Sequence, residues 1–391
     1  MRVNVVTPWY PNRHSPYSGI FVEQTVAAVE SFGATVEVEV PLIYPAPSGP
    51  IPPDVKYAME QLAGTDPEAL FEVVGNTTWI PAPVPSLSGP MGRARAFAEG
   101  LALKRRHLPT SSDITHAHLG MPTGWAVRQA GCDGPLVITE HQSTLADVFR
   151  DDKAREAYLE TLRAADAFIC VSGLLVDLLR TEFGDEFVAD VEVVPNVVDT
   201  GRIGFSPRKP PEFKSWIYIG GLTEKKGVMK LLQCFWSYTR RFDSHATLTV
   251  IGDGPLRVWV EKYSDSKALS DSVDLVGAIP HSRINQYLQA ADVLVHLSEF
   301  ETFGISSLEA IAAGLPVVSL RNGGAESTWG DVEQSCGLIL GRNEDPETIA
   351  TKIAGLRSEP ARLDPLVGRS MVASRFSPHS VGGTLMSIYE R

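Results

Sequence analysis

Cysteine is scarce in this chain of 391 residues: four, at Cys132, Cys170, Cys234 and Cys336, with no Cys-x-x-Cys pair. Their wide separation excludes a compact zinc site or a disulfide framework as the organising device. Cys170 lies in the apolar run Ala167-Phe168-Ile169-Cys170-Val171 and reads as a buried reduced thiol. No stretch reaches the roughly 18 consecutive apolar residues of a membrane-spanning helix. Positive charge is short as well, with 35 Lys and Arg against 47 Asp and Glu, a net charge of −12. A duplex nucleic-acid binder needs a cationic surface to displace counterions, so no nucleic-acid partner is expected; a local basic patch can still hold a small anion. The pattern Gly-x-x-x-x-Gly-Lys-[Ser/Thr] of a phosphate-binding P-loop is missing. The opening Met-Arg-Val-Asn-Val-Val-Thr-Pro reads as a short strand rather than a signal peptide, which makes the cytoplasm the expected address.

What is present is ordinary globular material, 43% hydrophobic and 21% charged. The length suits two domains of about 190 residues each. Short β-branched runs alternate with stretches of helical period, and they do so twice. The first half has runs at 2–6, 35–40, 135–139, 167–171 and 191–194; the second at 215–219, 246–251, 273–276, 292–297, 316–320 and 337–340. Continuous apolar runs separated by helices predict parallel strands, hence an α/β chain of two doubly wound domains. The Pro- and Gly-rich segment 200–214 is the expected linker. Val22, Val26 and Val29 share one face of a helix over 21–32, with Gly33 placed to stop it. Prolines crowd 41–55 and 81–90, which predicts long loops there.

The richest stretch is 298–324. It parses as a strand end, a Gly-containing loop, a helix from about 306 to 313, a stop at Gly314 and another strand. A loop entering a helix after a strand's carboxyl end is where open α/β sheets place ligands, and amides at Gly304, Ile305 and Ser306 suit a phosphate there. Glu301 and Glu309 flank the loop. Carboxylates at these positions suit sugar and ribose hydroxyls. Ser306-x-x-Glu309 also fits a capping box, in which the glutamate merely closes the helix start, and Glu301 also fits an exposed loop acid. A second phosphate-competent stretch is 217–227, where a strand, Gly220-Gly221 and Lys225-Lys226 precede a helix.

Gly-Gly-Leu-x-x-x-Lys-Gly (220–227), Ile-Gly-Asp-Gly-Pro (251–255), Val-Gly-x-Ile (276–279), Ala-Asp-Val (291–293) and Glu-x-Phe-Gly-x4-Glu-Ala-x-Ala-x-Gly-x-Pro-Val-Val (301–318) occur in that order. Together they resemble the donor domain of retaining family-4 glycosyltransferases, with Glu301 and Glu309 as that family's Glu-x7-Glu pair. The first half resembles the family too, at Ser18-Gly19-Ile20, Asp113 to His118, Thr139-Glu140-His141 and Val194 to Asp199. The resemblance implies a GT-B fold: two Rossmann-like doubly wound domains facing a central cleft. Residues 1–200 would bind acceptor, 213–376 nucleotide-sugar, and 377–391 would form a helix crossing back to the first domain. It implies that Glu309 holds the ribose and Glu301 the transferred sugar. Backbone from Val276 to Ile279, including Ala278, would receive the base. Gly304, Ile305 and Lys226 would meet the diphosphate, with Phe303 and Gly221 in the same donor set. Gly19 would approach the donor phosphate, and His141, with His118, would lie near the acceptor. Glu301, His141 and Lys226 form the implied catalytic set.

One position departs from the family pattern: Gly221 stands where an arginine is usual. Losing a bidentate guanidinium removes hydrogen bonds and a full charge from a diphosphate, and Lys225 or Arg321 is the expected substitute. No clear Asp-x-Asp motif lies among the loops, so no metal and no cofactor are expected; Lys226 and backbone amides would stabilise the leaving group. The expected activity is retaining transfer from a UDP- or GDP-sugar to a small soluble acceptor. Two alternatives stand beside it: a lipid-linked acceptor at the membrane surface, reached through a basic amphipathic helix at 93–106, and a non-catalytic nucleotide-sugar-binding relative. Packing of Phe97 and Leu101 onto the first domain is the expectation that weighs against the membrane.

Overall fold

The computed structural model describes residues 1–12, 15–45, 71–84, 89–185, 190–207 and 212–391. The chain divides into two compact units: Met1–Pro11, Ser18–Pro195 and Val381–Arg391 in the first, Asn12–Tyr17 and Asn196–Ser380 in the second. Part of the predicted linker, 208–211, and most of the proline-rich segments, 46–70 and 85–88, lie outside the described residues.

The first unit holds β1 (Arg2–Val6), β2 (Thr35–Pro45), β3 (Glu72–Val74), β4 (Thr77–Val84), β5 (Ile114–His118), β6 (Leu136–Glu140), β7 (Ala167–Cys170) and β8 (Glu192–Val193). Their order in the sheet is β3-β4-β2-β1-β5-β6-β7-β8. Pairing is parallel except between β3 and β4. The helix Ile20–Glu30 buries Val22, Val26 and Val29, and Gly33 follows its end in the left-handed region. Cys170 is fully buried.

The prolines do not all make loops. Pro41 and Pro45 lie in β2, and Pro81 and Pro83 in β4. The register explains this. Glu39 turns its carbonyl to the end of β1 at Thr7, so every second residue beyond it, Pro41 and Pro45 included, faces the side where β1 has stopped. Pro81 and Pro83 face the β3 side of β4, beyond the last β3 pair at Glu72↔Trp79. No ladder donor is needed at any of the four, and proline is tolerated at such edges.

The second unit has β9 (Ser215–Ile219), β10 (Thr247–Ile251), β11 (Val273–Gly277), β12 (Val293–His296), β13 (Val317–Leu320) and β14 (Gly337–Leu340). The sheet runs β11-β10-β9-β12-β13-β14, all parallel. This is the Rossmann order, and it reverses between β9 and β12. The helix Val228–Arg241 buries Val228, Leu231, Leu232, Phe235 and Tyr238, a spacing that places them on one stripe. That stripe packs with Trp216, Leu248, Ile349 and Ile353 into one core. Asp345 caps the helix Pro346–Ser358 through the amides of Glu347 and Thr348. Both units are Rossmann-like, and the fold is GT-B.

Candidate active site

Ligands of open α/β sheets sit beyond the carboxyl ends of the strands where the order reverses. In the second unit that place lies beyond β9 and β12, between the loops 220–227 and 297–304. The two loops are locked together. Gly227, with φ +68°, brings its backbone so close to Leu297 that a Cβ would lie 1.8 Å from the Leu297 carbonyl oxygen. The Lys225 carbonyl accepts from the Ser298 hydroxyl and the Glu299 amide, both at 3.1 Å.

This locking brings Lys226 onto Glu301: Nζ lies 2.6 Å from Oε1. His296, at the end of β12, is 3.5 Å from the same oxygen and stacks on Tyr218. Glu301 is 8% exposed, so the reading of an exposed loop acid does not hold. Burial pushes its carboxyl up, but Lys226, His296 and the hydrogen bonds from Lys226 and Ser298 outweigh that and hold it below the usual carboxylate range. Burial lowers His296, with Glu301 opposing and Lys226 adding to the shift. On the far side the Glu301 amide donates to Asn322 O at 3.0 Å.

The helix that follows runs Ile305–Ala313, with Gly304 as its N-cap at φ 85° and Gly314 as its C-cap at φ 92°. No side chain caps its start, and first-turn amides have no carbonyl partner inside a helix. The capping box predicted as an alternative is not formed. Ser306 falls inside the helix, and the buried Glu309 accepts instead from His281 Nε2 at 2.5 Å. Phe303 turns its ring into the core, edge-on to Phe376 at 5.3 Å, which leaves its backbone to line the loop. Ala278 is exposed and Ile279 buried, just past β11.

In the first unit the order reverses at β1 and β5. Gly19 caps the helix Ile20–Glu30 at φ 67°, and a Cβ there would lie 2.0 Å from the Trp9 carbonyl oxygen. The local backbone therefore already requires glycine. His118 ends β5, and His141 follows β6; Nδ1 of the first lies 2.8 Å from Nε2 of the second. His116 stacks on His118 and bonds Thr139 and Tyr389 at 2.7 and 2.6 Å. Burial drives His116 down to about 3. Burial, then the neighbouring His116 and His141, push His118 well below the usual histidine range. Beneath them the buried Glu140 accepts from the amides of Gly120, His141 and Gln142 and from the Tyr158 hydroxyl, which fixes both histidine-bearing loops.

The sequence profile described as Glycosyltransferase Family 4 matches residues 2–202, and that of Glycosyl transferases group 1 matches residues 199–365. The chain belongs to glycosyltransferase family 4. A glycogen synthase of Mycobacterium tuberculosis is 30% identical over 246 residues, covering 60% of this chain and 58% of that protein. The chain thus matches less than two thirds of that relative's length. D-inositol 3-phosphate glycosyltransferase 2 of Catenulispora acidiphila is 26% identical over 387 residues, covering 92% and 87%. Among solved structures, Anabaena HepE in complex with UDP and glucose superposes with a TM-score of 0.69 at 16% identity, over 99% of each chain.

Against the pattern of family 4, Gly221 is a free choice rather than a steric necessity. A Cβ there would meet only Asp253 O at 3.9 Å and a Thr223 methyl at 4.0 Å, both ordinary contacts. Of the two substitutes expected for the missing arginine, Arg321 extends into solvent, 62% exposed and 4.0 Å from Glu326; Lys225 serves the loop through its carbonyl. Sequence reasoning missed His281, His296 and Glu140 as partners of the site. His296 carried a signal, a lone imidazole ending the apolar run Val293-Leu294-Val295. His281, 28 positions from Glu309, carried none.

Proposed function

We propose that this chain is a retaining glycosyltransferase that moves a sugar from a UDP- or GDP-sugar to a small soluble acceptor without a metal ion. The observation that carries the reading is the Lys226–Glu301 pair at the reversal point of the second sheet, beside an uncapped helix start. Lys226 and the amides following Gly304 meet the diphosphate and take up the charge that develops as the sugar leaves. Glu301, ionised and fixed, holds the sugar hydroxyls, while Glu309, oriented by His281, holds the ribose. His141 and His118 serve the acceptor. UDP is favoured by the ligand of the Anabaena structure, and a small acceptor by the name of the Catenulispora relative.

The lipid-surface alternative loses its main support. The helix Pro90–His107 buries Phe97 and Leu101, at 1% and 0% exposure, so these two side chains face the core and not a bilayer. Among the described residues no helix is long and apolar enough to cross a membrane.

Calorimetric titration with UDP, GDP, ADP and dTDP in the presence of EDTA tests the proposal. Micromolar binding of UDP or GDP is expected, followed by turnover of a cognate sugar donor to a product of unchanged anomeric configuration. A folded protein that binds none of the four refutes the donor site, and one that binds UDP or GDP yet turns over no sugar donor brings forward the non-catalytic nucleotide-sugar-binding alternative. Binding that appears only when Mg²⁺ is added overturns metal independence.

A further inference from the structure

A cavity of about 380 Å³ opens at the amino ends of β1, β5 and β6, away from the carboxyl-end loops that carry His118 and His141. Asn4, Arg105, Thr110, Ser112, Cys132 and Asp133 are among its lining residues. Arg105 comes from the last turn of the helix Pro90–His107. Both its terminal nitrogens are buried without a hydrogen-bond partner. The nearest anion is Glu39, whose Oε2, itself buried without a hydrogen-bond partner, forms an ion pair with Nη2 at 3.8 Å but lies beyond hydrogen-bond reach.

Glu39 is engaged elsewhere. Its Oε1 accepts from Lys104 Nζ at 3.0 Å and from the Thr110 hydroxyl at 2.9 Å. Two cations, Lys104 and Arg105, thus share one carboxylate, and one positive charge is left over. Asn4 projects from β1, 2% exposed, with its Oδ1 also lacking a partner. Asp133 is exposed, where solvent screens it. Buried polar groups are almost always bonded, and an unbonded guanidinium is among the costliest exceptions. Two free N–H groups on one planar fork match two oxygens of a carboxylate or phosphate. The Asn4 amide and the Ser112 hydroxyl match hydroxyl groups next to that anion. Cavities above roughly 300 Å³ take small organic ligands.

We propose that this cavity binds a small hydroxylated oxyanion, a polyol monophosphate or a hydroxy acid, with Arg105 on the oxyanion and Asn4 on a hydroxyl. The site is separate from the donor site and stands whether or not the proposed transfer is correct.

Cys132 supplies the readout. It is exposed, it lines the same cavity, and the other three cysteines are buried. The rate of iodoacetamide labelling at Cys132 is followed in the full chain at constant ionic strength with sn-glycerol 3-phosphate, glycerate or inorganic phosphate, and with glycerol as the neutral control. Saturable slowing is expected with the anions and none with glycerol; whichever of glycerol 3-phosphate and glycerate acts at lower concentration identifies the oxyanion. Arg105→Gln should abolish the protection. Asn4→Leu should raise the concentration needed by about tenfold, the worth of a hydrogen bond in a buried site, without lowering the Tm, because it removes a buried unsatisfied carbonyl oxygen. Labelling that is indifferent to every anion overturns the proposal, and so does equal protection in Arg105→Gln. Should that variant not fold, an Asn4→Leu protection curve identical to that of the unmodified protein overturns it.

Discussion

Replacing Glu301 by Gln keeps the shape of the side chain and removes its charge. The consequence follows from the geometry around Oε1. At 2.6 Å from Lys226 Nζ, the pair attracts by about 6 kcal/mol at an effective dielectric of about 20. Burying the carboxylate returns several kcal/mol of that, and the lysine is 33% exposed, so screening takes a further share. A net loss of about 1–3 kcal/mol remains, which for a unit of this size lowers the Tm by roughly 2–10 °C. The chemical step should suffer more, by about 10²–10³ in donor turnover, because the oriented charge beside the reacting sugar is gone. Donor hydrolysis, which needs no acceptor, measures this once the nucleotide is known. Thermal unfolding in the same samples separates lost chemistry from lost fold. The acid limb carries the same signature. The folded carboxyl lies below its usual range, so its contribution is complete above the unfolded value and is lost as pH falls through the folded one. Glu301→Gln should flatten that limb. A Gln variant that hydrolyses donor at the original rate, or keeps the original acid limb, refutes the assignment.

Gly221→Arg should fold normally, since its Cβ meets nothing closer than 3.9 Å. A charge-assisted bond less the side-chain entropy should tighten nucleoside diphosphate binding by about fivefold, measured by calorimetry; unchanged affinity would place Gly221 outside the donor site. His281→Ala removes the imidazole that orients the Glu309 carboxylate. It should cost about fivefold in affinity for the ribonucleotide and less for the 2′-deoxy analogue, so the ratio of the two is the quantity to follow. His116 is held down to about 3 by burial, whereas the unfolded chain protonates it near pH 6.5. Its contribution is full above that value and is lost as pH falls toward 3, reaching about 2 kcal/mol by pH 5. Tm measured from pH 7 to pH 5 should fall less steeply in His116→Gln than in the unmodified protein.

Strands that bury both faces announce themselves, and the six of the second unit stand within a residue or two of their apolar runs. β5 gives no apolar run, because Thr115, His116 and His118 interrupt the pattern, although all five of its residues are buried. β4 was hidden by Pro81 and Pro83, whose tolerance depends on where β3 stops, a tertiary fact. The loop-to-helix parse around Gly304 was legible because φ/ψ demands act locally. Glu309 was not. Its spacing from Ser306 fits a cap equally well, and only the position of His281 decides between them. The burial of Glu301 depends likewise on two loops 75 residues apart. Local chemistry could be read along the chain, while partners brought together by the sheet order could not.

The helix Pro378–Tyr389 has a consequence for how the protein is made. Val381–Arg391 belongs to the first unit. Tyr389 bonds His116, and Gly382 packs so closely that a Cβ would come within 2.9 Å of the Ala28 carbonyl oxygen. Domains ordinarily fold in the order in which they leave the ribosome. Here the unit begun first is finished last: until residue 389 emerges, His116 lacks its phenol and Ala28 its covering helix. The second unit, complete at Ser380, can close while the first is still open. A stalled or truncated chain would therefore present a finished second unit joined to an unfinished first one, and quality control would find its exposed surface on the amino-terminal side.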